Sequence, residues 1–240
     1  MNLSYAKILI ISAGVALGGW FIGQGFIKSR TADRYVTVKG TSERDVRADM
    51  ALWPLRFVAT ANDLNQAQRN IEASKMEILK FLKKYNIDES LVELQDIEVN
   101  DVHANPYHSG QVKNRFIITQ TIMVRSEDPD LIRNASQRIS ELVDAGVVLS
   151  AGGHSGTGPT FLFTKLTALK PEMIAESTAN ARMAAEQFAH DSGRQLGGIR
   201  SANQGLFVIL ARDRAPGVNE ESQLNKTVRV VSTVEYYLKD

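Results

Sequence analysis

The chain contains no cysteine in its 240 residues. That excludes disulfides, thiolate metal sites and cysteine nucleophiles together. An oxidising compartment remains compatible with the sequence, since disulfides are common there but not obligatory. Charge of one sign is also lacking: 28 Lys and Arg stand against 27 Asp and Glu, with four His. A near-neutral chain has no basic footprint for nucleic acid, so nucleic acid is not expected as a partner. There is no block of like charge and no low-complexity tract, which argues for folded structure through the body of the chain.

What the sequence does have is one long uncharged run. Ile8 to Ile27 passes twenty positions without a charge, between Lys7 and Lys28. As a helix it would rise about 30 Å, the thickness of a bilayer's hydrocarbon core. The expectation is an N-terminal transmembrane helix within residues 1–30, with the lipid bilayer as partner of residues 8–27. The alternative is a cleaved signal, with Ala16-Leu17-Gly18 as the small-x-small site. The run continues through Trp20, Phe21 and Ile27, which is long for a signal core and favours the anchor. Gly14-x-x-x-Gly18 and Gly19-x-x-x-Gly23 carry the small-residue spacing that lets membrane helices approach closely, although glycine is common in such helices. Lys28, Arg30 and Arg34 against Asp33 balance Lys7 and the amino terminus closely, so charge alone does not orient the segment.

The body, residues 31–240, reads as α+β. Tyr35-Val36-Thr37-Val38-Lys39-Gly40 alternates and is β-branched, a strand pattern. A second extended run covers Ala48 to Ala61, with Pro54 pointing to an edge or a bulge. Asn62-Asp63 caps a helix to about Tyr85, with Ala67, Ile71, Ile78 and Leu82 on one stripe. Strands follow at about 92–103 and 116–124. Asp128-Pro129 opens a second helix ending at Gly146. Short strands at 147–149 and 160–167 flank a glycine-rich stretch. Pro171 opens a third helix, which Gly193 and Gly197-Gly198 stop, and strands at 206–210 and 228–238 close the chain. The order is β-β-α-β-β, then α-β-β-α-β-β, with three helices on mostly antiparallel sheets. Two intertwined subdomains, at about 34–126 and 127–240, are expected from that order.

These residues resemble the SIMPL-domain family, bacterial envelope proteins that include the periplasmic immunogenic proteins. The resemblance rests on Tyr35-Val36-Thr37-Val38-Lys39-Gly40-Thr41-Ser42-Glu43 after a hydrophobic segment, the strand around Ala51 to Ala61, and Gly158-Pro159-Thr160-Phe161 ahead of the alanine-rich Ile174 to Ala189. It implies an α+β body in the periplasm or on the outer face of the inner membrane. It also implies homo-oligomers, ring- or channel-like in family members, and a link to oxidative and envelope stress. It implies no catalytic residues. The long, glycine-rich anchor in place of a plain cleavable signal departs from the pattern and speaks against a freely soluble state.

Candidate chemistry is sparse. The loop Gly152-Gly153-His154-Ser155-Gly156-Thr157-Gly158-Pro159 has amides of the kind that cradle anions. A Walker A loop, however, needs lysine after its last glycine, and here Pro159 has no amide to offer. His103 and His108, with Asp101 nearby, are ligand types for a borderline metal, though their spacing matches no known site. His190-Asp191 is explained by the helix C-terminus, where a histidine meets the negative end of the dipole. No G-x-S-x-G elbow is present. Trp53 and Phe57 share a strand face and fill a core, or, if exposed, a subunit contact. The polar loop 212–225, with Pro216-Gly217 and Glu220-Glu221, has the length of a functional hairpin tip.

The reading is therefore a non-enzymatic, inner-membrane-anchored envelope protein, body toward the periplasm, that self-assembles and has a structural or stress-protective role. No cofactor is expected. A periplasmic module for a small ligand or metal is the alternative, and an enzyme of unrecognised class ranks behind it.

Overall fold

The computed structural model describes residues 12–24, 34–104, 113–150, 158–213 and 215–239. The body is α+β with antiparallel sheets. Nine strands and five helices are described. The helices are α1 (residues 12–24), α2 (Leu64–Lys84), α3 (Pro129–Ser136), α4 (Ser140–Asp144) and α5 (Leu166–Asp191). The strands are β1 (Tyr35–Arg47), β2 (Met50–Ala61), β3 (Val92–Asp101), β4 (Phe116–Ser126), β5 (Val148–Leu149), β6 (Thr160–Leu162), β7 (Gln195–Gln204), β8 (Val208–Ala211) and β9 (Asn225–Lys239).

The chain forms two compact units that interleave along the sequence. One comprises Met1–Glu43, Pro171–Val208 and Arg229–Asp240, and the other Arg44–Lys170 and Ile209–Val228. The division does not fall into halves at 34–126 and 127–240. The long strands β1 and β9 contribute residues to both units, so chain order and compactness do not coincide.

The larger unit is a sheet in the order β3-β4-β2-β5, with β6 also paired to β2. β2 and β4 run antiparallel in unbroken register from Ala51 opposite Ser126 to Ala61 opposite Phe116. Residues of β2 alternate strictly. Ala51, Trp53, Leu55 and Phe57 are buried, and the residues between them are half-buried. Period two thus puts one face against α2, whose Ala67, Ile71, Ile78, Phe81 and Leu82 form the matching stripe. Burying side chains of this size contributes roughly 1.5–3 kcal/mol each. Pro54 does not lie on an edge strand. It sits on β2 between the segment that pairs β6, residues 50–52, and the segment that pairs β5, residues 57–58. Its missing N–H therefore falls in a gap of the ladder.

The second expected helix is two, α3 and α4. Asp128 caps α3, accepting from Asp130 N–H at 3.0 Å and Leu131 N–H at 3.2 Å. The third begins at Leu166, five residues before Pro171, so the proline lies inside α5 and β6 stops at Leu162. Without its N–H, Pro171 leaves one carbonyl of the first turns without its helical donor.

The smaller unit holds a sheet in the order β1-β9-β7, with β8 also paired to β9. Sequence periodicity did not anticipate β7, because its Gly197-Gly198 pair read as a helix stop. The pair falls instead at a register shift between Leu196 and Ile199. A Cβ on Gly197 would sit 2.8 Å from the Tyr237 carbonyl oxygen, so only glycine fits. β9 alternates buried and half-buried positions from Lys226 to Tyr236. α5 buries small residues, Ser177, Ala181, Ala185 and Ala189, and of these Ala181 and Ala185 pack with Val38, Val234 and Tyr236.

The expected transmembrane helix at 8–27 is described only over 12–24, where the chain is helical. Among the described residues, no helix is long and apolar enough to cross a membrane.

Candidate functional site

The expected site residues scatter. Trp53 is not an interface residue: it is 0% exposed and packs edge-on against Phe81, ring centroids 6.4 Å apart. The register of β2 places it on the helix-covered face, which excludes contact with a partner. His103 lies in a 3-10 turn, residues 102–104. Its backbone N–H donates to Asp101 Oδ1 at 3.1 Å. That carboxylate also accepts from Arg115 Nη2 at 2.8 Å and from Arg115 Nε at 3.1 Å, and the guanidinium holds the Asp101 pKa below its ordinary value. Asp101 is thus committed to closing the base of a loop. Among the described residues, no group of three His, Asp or Glu is placed to hold a metal. His108, Gly152, Gly153 and His154 lie outside the described residues. Pro216 and Gly217 form an exposed turn, with Gly217 at φ 79°. Gly14, Gly18, Gly19 and Gly23 lie on α1, with open space where each Cβ would be.

Gly158 is different. With Pro159 it forms one wall of a cavity of about 460 Å³ in the larger unit, within the range of small-molecule sites. Three separate stretches of chain build it. The start of β6 gives Phe161, the end of α3 gives Arg133, Ser136 and Gln137, and the 212–225 loop gives Asp213 and Leu224. Phe161 and Leu224 are 4% and 7% exposed and form an apolar floor.

The 212–225 loop is firmly tied. Gln223 donates to the Asp213 carbonyl at 2.6 Å and accepts from Asp213 N–H at 3.2 Å. Lys226, 0% exposed, donates to the Glu220 carbonyl at 2.7 Å and pairs with the Glu220 carboxylate. A buried ammonium is tolerated only when so partnered. Leu224 O also accepts from Ala48 N–H at 2.8 Å. The ends of the 212–225 loop, Asp213 and Ser222 to Asn225, are therefore fixed at the wall of a cavity, while Pro216 and Gly217 between them are exposed.

The electrostatics of the rim are uneven. Arg133 Nη2 lies 3.0 Å from Asp130 Oδ1, but Arg47 Nη2 already holds both oxygens of that carboxylate at 2.7 Å. Asp213, on the opposite wall, meets Arg212 at 3.2 Å. In the orientation that satisfies both amide atoms, Asn225 turns its oxygen to Arg212 Nη1 and Nη2, each at 3.3 Å. Sequence reading passed over Arg133, Gln137 and Asn225. They share no motif, and only the packing of α3 and the loop on β6 assembles them.

Two sheets of antiparallel strands, each faced by helix, define the molecule as an α+β protein, with an open cavity beside β6. The chain belongs to the SIMPL family: the family model, described as "Protein of unknown function (DUF541)", matches residues 36–236. No curated protein matches the sequence.

Proposed function

We propose that this is a non-enzymatic, membrane-anchored envelope protein, with its body on the periplasmic side, that self-assembles and has a structural or stress-protective role. The observation that carries the reading is α1. Val15, Leu17, Trp20, Phe21 and Ile22 are 58–75% exposed, so among the described residues nothing covers the apolar side chains of this helix. A helix apolar all round has no water-facing side, and a bilayer supplies the missing solvent for the uncharged run 8–27. Self-assembly draws support from the open edge of β3, where Leu94, Ile97 and Val99 are 43–51% exposed on the sheet face that α2 covers further in. An edge strand of this kind is a template for another chain.

Native mass spectrometry of the full chain, extracted from bacterial membranes in mild detergent, tests both halves. Integer multiples of a subunit mass that includes residues 1–27 are expected. A monomeric mass lacking the segment would overturn the anchor and the assembly together. A second reading, a small-ligand module, is favoured by the cavity at Gly158 and Phe161.

A further inference from the structure

We propose that the cavity beside β6 binds a small organic carboxylate with an apolar body, the carboxylate on Arg133 and Gln137 and the body over Phe161 and Leu224. The inference rests on the small-ligand reading and names its ligand class.

Charge selects the head group. Among the described residues lining the cavity, Arg133 is the cation and Asp213 the carboxylate; Arg47 and Asp130 pair next to Arg133, and Arg212 pairs with Asp213. Arg47 takes both oxygens of Asp130, so Arg133 is left with a shared partner. Asp213 lines the same cavity, and its repulsion of an anion is offset by Arg212 at 3.2 Å. The Glu220 charge nearby is met by the buried Lys226. Among these described residues the cations outnumber the carboxylates by one, and the guanidinium that lines the cavity, Arg133, carries a planar fork that matches a carboxylate. Arg133 lies in the last turn of α3, whose negative end opposes an anion weakly. That opposition is weaker than a charge-assisted hydrogen bond from a guanidinium.

The floor selects the body. Phe161 and Leu224 are held rigidly, Phe161 opposite Ala51 in the β6–β2 pair and Leu224 by its bond to Ala48. A preformed apolar surface beside one directional polar anchor is the usual build of a small-molecule site. It favours a ligand with an aromatic or branched apolar part over a fully hydrated acid.

The test uses the full chain in nanodiscs of zwitterionic lipid, titrated calorimetrically with 4-phenylbutyrate and with its neutral isostere 4-phenylbutyramide, empty discs serving as blank. The carboxylate is expected to bind at least tenfold more tightly than the amide. Arg133→Gln should weaken the carboxylate at least tenfold and the amide less than twofold. Arg133→Lys, which keeps the charge without the fork, should fall between, and it serves as the folded control if Arg133→Gln is unstable. Equal affinity for the two probes, or a carboxylate affinity unmoved in Arg133→Gln, overturns the ligand class while leaving a ligand site. No binding of either probe at about 1 mM overturns the site itself.

Discussion

Gly40 on β1 lies so close to α5 that a Cβ there would stand 1.9 Å from the Ser177 carbonyl oxygen and 2.4 Å from the Ala181 nitrogen. Both obstacles are backbone, so nothing short of moving the helix makes room. Ser177 in turn shares a 2.7 Å hydrogen bond with Ser232 on β9, and Asn180 donates to Thr41 O at 2.8 Å. Helix and sheet are thus locked at a spacing that only small residues permit. Gly40→Ala should destabilise the protein by about 3 kcal/mol, read from the urea midpoint at unchanged m-value. A loss under about 0.5 kcal/mol would mean that the helix shifts freely and the spacing is not fixed.

The buried Lys226 makes the 212–225 loop sensitive to its partner. Glu220→Ala strips the carboxylate and leaves the ammonium with a backbone carbonyl. It should cost roughly 3 kcal/mol, and Lys226→Met should cost less, because an apolar side chain of similar length suits a fully buried position. Equal costs for the two variants in chemical denaturation would contradict this ordering.

Stability should show an acid limb set by Glu141. Its carboxylate accepts from Lys84 at 2.8 Å and from Tyr85 Oη at 2.7 Å, and these bonds, Lys84 first, hold its pKa below the ordinary 4.5. A depressed carboxylate contributes stability above its unfolded pKa and loses it as pH falls through the folded value. Lys84 is raised from 10.5 and Tyr85 from 10.0 by the same hydrogen bonds to Glu141. Their contribution is present below those unfolded values and fades as pH rises past the folded ones. A plateau between these limits is expected, and Glu141→Gln should flatten both limbs. A wild-type acid limb retained in that variant would assign it to other carboxylates, Asp101 first.

The start of α2 depends on one side chain. Asp63 Oδ1 accepts from Gln66 N–H at 3.0 Å. Asp63→Ala should cost about 1 kcal/mol, and Asp63→Asn, which keeps the acceptor, much less. Thermal melts of the pair that coincide would show that the cap is dispensable.

Local pattern carried most of the fold. Alternation marked β1, and extended apolar runs marked β2, β4 and β9. Asp63 and Asp128 marked the two caps they make, and the stripe of α2 faces the core as its spacing requires. These features need only the residues themselves, because a period of two or of 3.6 states which face is apolar. The failures share one cause. Pro171 and Gly197-Gly198 carry strong local preferences, and tertiary contacts overrode them, holding one inside α5 and the other in an edge strand against Tyr237. For the cavity, the sequence contributed Gly158 and the polar loop but no link between them. Arg133, Phe161 and Leu224 are brought together by the pairing of β6 with β2 and by the bond from Ala48 to Leu224. By itself, then, the sequence determined the α+β class, the uncharged N-terminal run, the absence of thiol chemistry and the family pattern, all of which follow from local composition and period. Only the tertiary structure decided that Trp53 is core, that the ends of the 212–225 loop line a cavity, and that Arg133 shares the Asp130 carboxylate with Arg47. Those are distances between residues far apart in the chain, and no local preference encodes them.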